Sequence, residues 1–166
     1  MVNTNKRYAA IAAAIAALVL LLLCYPTDRR QIKRQFKRLS EWVSKDGKEG
    51  PLALVQRIPE GRKLFADPCE LKAEAYGLDE SLSPLELAKL AMGARSRSDT
   101  LSLEFHDLQI GFTGDGEARG TVTARLKGTG EGAEDLQETH EVDYEMRKTE
   151  GRWLFTKITL VQVLKK

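Results

Sequence analysis

The C-terminal third of the chain, Leu101 to Leu164, reads as four successive strands joined by glycine-containing turns, and this meander limits the fold more than anything else in the sequence. Leu101, Leu103 and Phe105 alternate with polar residues, but after His106-Asp107 the apolar residues are Leu108, Ile110 and Phe112, one step out of phase. A period-two pattern that slips by one residue predicts a β-bulge and a bent sheet. Gly114-Asp115-Gly116 predicts a hairpin into a strand with Ala118, Gly120, Val122, Ala124 and Leu126 on one face. After a Gly- and acid-rich link from Gly128 to Asp135, Leu136, His140, Val142, Tyr144 and Met146 alternate with charged residues. A three-residue turn at Thr149-Glu150-Gly151 would set Met146 against Leu154, Val142 against Ile158 and Asp143 against Lys157. In the last strand Trp153, Phe155, Val161 and Val163 are apolar on one face and Leu154, Ile158 and Leu160 on the other, so both faces are expected to be covered.

The N-terminal half predicts helices. Residues 1–7 form a short basic segment, and Tyr8 to Tyr25 runs 18 residues without a charge. At about 1.5 Å per residue such a helix spans about 27 Å, near the thickness of a bilayer core. It is read as an uncleaved signal anchor, with a cleaved signal peptide as the alternative. The expected location is the inner (cytoplasmic) membrane, single-pass, with residues 26–166 as a periplasmic domain. The basic residues on the domain side, counted literally, argue instead for a cytoplasmic domain.

Ile32, Phe36, Leu39 and Val43 recur at helical spacing on a helix whose back carries Arg29, Arg30, Lys33, Arg34, Lys37 and Arg38, a surface suited to anionic lipid heads or simply to water. Pro51 opens a second helix that Pro59-Glu60-Gly61 should break or kink before Leu64 and Phe65, with Asp67-Pro68 as its end. Cys69 to Ala75 alternates as a short strand closed by Gly77. Ser83-Pro84-Leu85-Glu86 is a capping box that starts a third helix.

The predicted fold class is α+β: three helices on a strongly bent, mostly antiparallel sheet, in the order helix, helix, short strand, helix, four-strand meander, preceded by one transmembrane helix. That order resembles the nuclear transport factor 2-like (cystatin-like) cone shared by ketosteroid isomerase, scytalone dehydratase and polyketide cyclases, and more narrowly its bacterial membrane-anchored members. The residues that carry the resemblance are Leu64-Phe65-Ala66-Asp67, the bulged Leu103-Glu104-Phe105-His106-Asp107 strand and the closing Glu150-Gly151-Arg152-Trp153-Leu154. The resemblance implies a pocket inside the cone, with His140, Tyr144, Tyr76 and Met146 as its candidate residues. It also implies the two-fold dimer common in the fold, here through Trp153, Phe155, Val161 and Val163.

His140 and Tyr144 are weak catalytic candidates, because a lone histidine among aliphatic residues is more often a core histidine bonded to a backbone carbonyl than a base. The expected neighbours of His140 across the sheet are Val122 and Leu108. His106-Asp107 are adjacent on a strand and point to opposite faces unless the bulge re-aims one, so a dyad is not assumed. Two histidines and two scattered cysteines give no metal spacing, and no cofactor motif is present. Residues 1–72 hold 14 basic and 7 acidic side chains and residues 73–166 hold 12 and 17, so the aromatic-bearing sheet is acidic and nucleic-acid binding is disfavoured. The expectation is a membrane-tethered, non-catalytic module binding a protein partner or an apolar ligand in the cone, more likely no enzyme than one. The alternative is an isomerase, dehydratase or hydrolase with a His/Tyr pocket.

Overall fold

The computed structural model describes residues 27–130 and 136–163; the apolar stretch 8–25 lies outside them, and among the described residues no helix is long and apolar enough to cross a membrane. Three helices, α1 (Asp28–Val43), α2 (Pro51–Arg62) and α3 (Pro84–Arg97), pack on one curved sheet. Its strands are β1 (Lys45–Asp46), β2 (Phe65–Ala73), β3 (Leu78–Leu82), β4 (Thr100–His106), β5 (Gly111–Gly114), β6 (Glu117–Thr129), β7 (Leu136–Thr149) and β8 (Arg152–Val163). They lie in the order β1-β4-β6-β7-β8-β2-β3, with β5 also on β6, and all pairs are antiparallel except β2 with β8.

The phase slip seen in the sequence is a break between β4 and β5, where Asp107 takes φ 53° and both flanking strands pair with β6. The same bend brings the Gln109 carbonyl so near β6 that a Cβ at Gly120 would lie 1.9 Å from its oxygen, which explains the glycine. The capping box of α3 is present, with Ser83 Oγ accepting from Glu86 N at 3.3 Å and Glu86 accepting from Ser83 N at 2.8 Å.

The β7–β8 register differs from the expected one. The turn has two residues, Glu150 and Gly151, both at positive φ, so Thr149 pairs with Arg152 and the ladder moves by one. That register sets Met146 opposite Phe155; an irregularity at Glu145/Met146 shifts it again, giving Glu145 opposite Lys157, Tyr144 opposite Ile158, Asp143 opposite Thr159 and Val142 opposite Leu160, and a second at Glu141/Val142 shifts the end of the ladder. The bulge between Phe155 and Lys157 also inverts the alternation of β8. Trp153 and Phe155 therefore share the helix-covered face with Ile158 and Leu160.

The proposed outer dimer row is thereby corrected. Trp153 and Phe155 are each 1% exposed beneath α1, while Val161 is 53% exposed. Phe36 meets Phe155, Tyr144 and Phe105 edge-on at 5.1, 4.8 and 5.1 Å between ring centroids. Such pairs contribute about 0.5–1.5 kcal/mol each beyond area burial. The Trp153 indole donates to Asp28 at 3.1 Å, Lys148 Nζ reaches the same carboxylate at 2.6 Å, and Gln35 bonds the Trp153 carbonyl. These contacts pin the start of α1 to the far ends of β7 and β8.

Three further expectations needed correction. Helix α2 continues through Pro59 to Arg62; the carbonyl that loses its donor to the proline belongs to Val55, which is exposed. Leu64 ends that turn, and Phe65 already opens β2, four residues before the expected strand. The edge strand β3 was not foreseen, since its central Asp79, Glu80 and Ser81 are all exposed and leave no alternation to read.

Arg95 was not singled out by the sequence, yet it is wholly buried. Its Nη1 donates to the carbonyls of Trp42 and Val43 at 2.8 Å and of Ser44 at 2.5 Å, capping the end of α1. Its Nε and Nη2 grip Glu49 at 3.1 and 2.5 Å. That guanidinium holds the Glu49 carboxyl below the usual carboxylate range, against the opposing effect of burial.

Candidate functional site

A cavity of about 500 Å³ lies between α1 and the inner face of the sheet, within the size range of small-molecule sites. Phe36, Leu39, Leu103, Phe105, Leu126 and Leu160 form its body, with Phe155 and Ile158 beneath. The alternation of β4, β6 and β7 produces this face: the rows Leu103–Leu126–Glu138 and Phe105–Ala124–His140 cross the sheet side by side. His140 therefore stands opposite Ala124, while Val122 faces Val142, one row from the expected position.

Polar groups converge at one end of the cavity. His140 Nε2 lies 2.9 Å from Glu138 Oε2, and the Tyr76 hydroxyl donates to the same oxygen at 3.1 Å. His140 is 7% exposed and lies against the ring of Tyr76, 6.2 Å between centroids. An ionised carboxylate only accepts, so in this contact Nε2 of the imidazole donates to Glu138. Burial, the bond to Glu138 and that carboxylate's charge all push the Tyr76 hydroxyl upward. His140 is thus bonded to a carboxylate, where a backbone carbonyl was expected.

The other two pocket candidates have different roles. Tyr144 borders the cavity with its ring, but its hydroxyl turns away to donate to the Gln109 carbonyl at 2.7 Å, and burial pushes it up to about 12. It is a strut across the bend, with its hydroxyl engaged by the backbone. Met146 is 2% exposed in the core and is not part of the cavity wall. Glu138 was overlooked in the sequence, although it shares its parity with Leu136 and His140 and so had to face inward. A larger groove, about 590 Å³, opens on the charged face of the sheet beside Arg119, Asp143, Glu145 and Lys157. It holds no histidine, and its lining is more polar than that of the smaller cavity. Among the described residues no His/Cys/Asp/Glu group is arranged to hold a metal.

No protein-family profile and no curated protein sequence matches the chain. Solved structures do. A protein from Kribbella flavida superposes with TM-score 0.69 at 14% identity, covering 84% of this chain and 92% of its own. A Novosphingobium aromaticivorans protein described as a scytalone dehydratase gives 0.64 at 17%, over 83% and 85%. The hexachlorocyclohexane dehydrochlorinase LinA-type3 of Novosphingobium barchaimii gives 0.63 at 16%, over 82% and 86%. The chain shares the α+β cone fold of these structures. The expectation of a non-catalytic module is corrected at the same point. Dehydratase and dehydrochlorinase are the named activities among these neighbours, and the cavity is furnished with a His–Glu–Tyr cluster instead of being filled by Leu, Ala and Met.

Proposed function

We propose that the chain is an enzyme that removes a proton from carbon in a small apolar molecule, leading to elimination or isomerisation. The observation that carries this reading is the convergence of His140, Glu138 and Tyr76 on one end of an otherwise apolar cavity. In the proposed step Nδ1 of His140 takes the proton, and the C–H electron pair forms the new double bond as a leaving group departs or the adjacent carbonyl accepts charge. Glu138 stabilises the imidazolium, and Tyr76 holds Glu138 in place. The named activities of the structural neighbours support this reaction class.

The test is deuterium uptake next to the carbonyl of small alicyclic and aromatic ketones in D2O, followed by NMR with the full chain. Uptake above buffer that falls about 100-fold or more in His140→Gln is expected for loss of a general base. Uptake that is the same in His140→Gln and wild type would remove His140 from the chemistry.

We infer further that the 8–25 stretch tethers the domain to a membrane. Its support is the apolar sequence together with Arg30, Lys33, Arg34, Lys37 and Arg38, which lie exposed along α1, while Arg29 is exposed yet bonds the Ile110 carbonyl at 3.2 Å. A cysteine in place of exposed Asp115 should react with a membrane-impermeant thiol reagent once the outer envelope is opened. Protection until the inner membrane is broken would place the domain in the cytoplasm.

A further inference from the structure

The inner face of β7 supplies one row of the cavity wall, and exposure falls along it. Leu136 is 36% exposed and the Glu138 side chain 37%, whereas His140 and Val142 are each 7% and Tyr144 2% exposed. Tyr76, the other exposed residue of the wall, bonds Glu138. The cavity therefore opens at Leu136, Glu138 and Tyr76, and its floor lies at Tyr144, Phe36 and Phe155, whose rings meet edge-on. At roughly 3.3 Å per strand residue, about 13 Å of wall separates His140 from Tyr144. The polar cluster thus stands at the entrance, with the apolar body of the cavity behind it.

The charge of the wall is equally one-sided. Among the described residues no lysine or arginine lines the cavity, and its one carboxylate is that of Glu138. An anionic group carried to the floor would leave water with no cation to answer it. Kept at the entrance, it would lie beside the Glu138 carboxylate, where the apolar wall screens like charges less than water does.

We propose that the cavity selects an uncharged molecule that enters apolar end first, leaving its acidic C–H at the entrance beside His140, and that Glu138 is the residue that rejects anions there. This names the substrate class of the reaction proposed above and rests on that reading for the role of His140. The selection itself is a property of binding and is measured without turnover.

The experiment titrates three probes of similar shape into the 15N-labelled full chain: para-tert-butylacetophenone, para-tert-butylbenzoate with its charge in place of the acetyl group, and para-acetylbenzoate with its charge in place of the tert-butyl group. The ketone should give saturable shifts of the Phe36, Val142 and Tyr144 amides. Its tert-butyl protons should show nuclear Overhauser contacts to the Phe36 and Phe155 rings, and its acetyl methyl to the His140 ring. Both acids should bind at least about 10-fold more weakly, the effect of one unanswered charge. Glu138→Gln should strengthen para-tert-butylbenzoate about 10-fold while leaving the ketone within about 2-fold. Comparing variant with wild type for one probe cancels any loss of that probe to detergent. No saturable ketone binding, reversed Overhauser contacts, acids that bind wild type as tightly as the ketone, or no gain for para-tert-butylbenzoate in Glu138→Gln would each overturn the proposal. A ketone bound in the expected direction without deuterium uptake would instead remove the reaction and leave the selection standing.

Discussion

Replacing Arg95 with Met removes a guanidinium while roughly keeping its volume, and four partners are left behind. The carbonyls of Trp42, Val43 and Ser44 lose their donor, and Glu49 loses two charge-assisted bonds. Removing one partner of a buried ion pair costs about 3–5 kcal/mol, because the other is stranded. Glu49 keeps Arg57 at 3.6 Å and the Ser44 end is partly open to water, so the lower half of that range, about 3–4 kcal/mol, is expected. Against a typical total of about 5–15 kcal/mol this is a large share. Urea unfolding followed by Trp fluorescence measures it. Glu49→Gln should cost less, about 1–2 kcal/mol, since Arg95 retains its three carbonyls. The double variant should cost less than the sum of the two. The pH dependence is a second readout. The folded-state pKa of Glu49 is depressed, so its contribution is present above the ordinary value near 4.5 and is lost as pH falls through the lower folded value. Arg95→Met should flatten that acid limb. A loss below about 1 kcal/mol with an unchanged acid limb would refute the account, for it would mean water replaces the guanidinium at no cost.

Gly120→Ala drives a Cβ into the Gln109 carbonyl, whose position the bend fixes, and it crowds the Tyr144 hydroxyl at 2.9 Å; a loss of about 2–4 kcal/mol in urea is expected. Asp28→Asn should cost about 1–2 kcal/mol and shift Trp153 emission. Because its bonds to Lys148 and Trp153 hold the Asp28 carboxyl low, wild type should lose this stability on acidification below about 4 while the variant does not. Tyr76→Phe, at an exposed site, should leave stability within about 0.5 kcal/mol but slow ketone deuterium exchange, as Glu138 loses one of its two donors.

Where one face of an element is buried and its period is clean, the sequence was sufficient. Ile32, Phe36 and Leu39 on α1, the Ser83/Glu86 cap and the slip at His106-Asp107 could all be read directly. Register could not, because it depends on whether a turn holds two residues or three and on bulges that leave no mark in composition. One such bulge in β8 moved Trp153 and Phe155 from a supposed outer row into the centre of the molecule. The site was half legible. His140 was visible as a polar residue on an apolar face and Tyr76 only through the resemblance to the cone fold, but Glu138 was passed over as a surface charge although its parity faces inward. Arg95 was invisible for a different reason. Its partners are backbone carbonyls 51 to 53 residues away, and no local pattern encodes such contacts.

The pin at Asp28 has a directional consequence. Lys148, to which it bonds, lies ten residues along β7 from Glu138, about 33 Å at roughly 3.3 Å per strand residue. The chain thus enters the domain at the end of the sheet away from the His140, Glu138 and Tyr76 cluster. A tether attached there would let the domain stand upright on its surface with that cluster toward the water. Under the proposed function its substrates would then arrive from solution rather than by lateral diffusion in lipid, and fusions or truncations ahead of residue 27 would leave that end untouched.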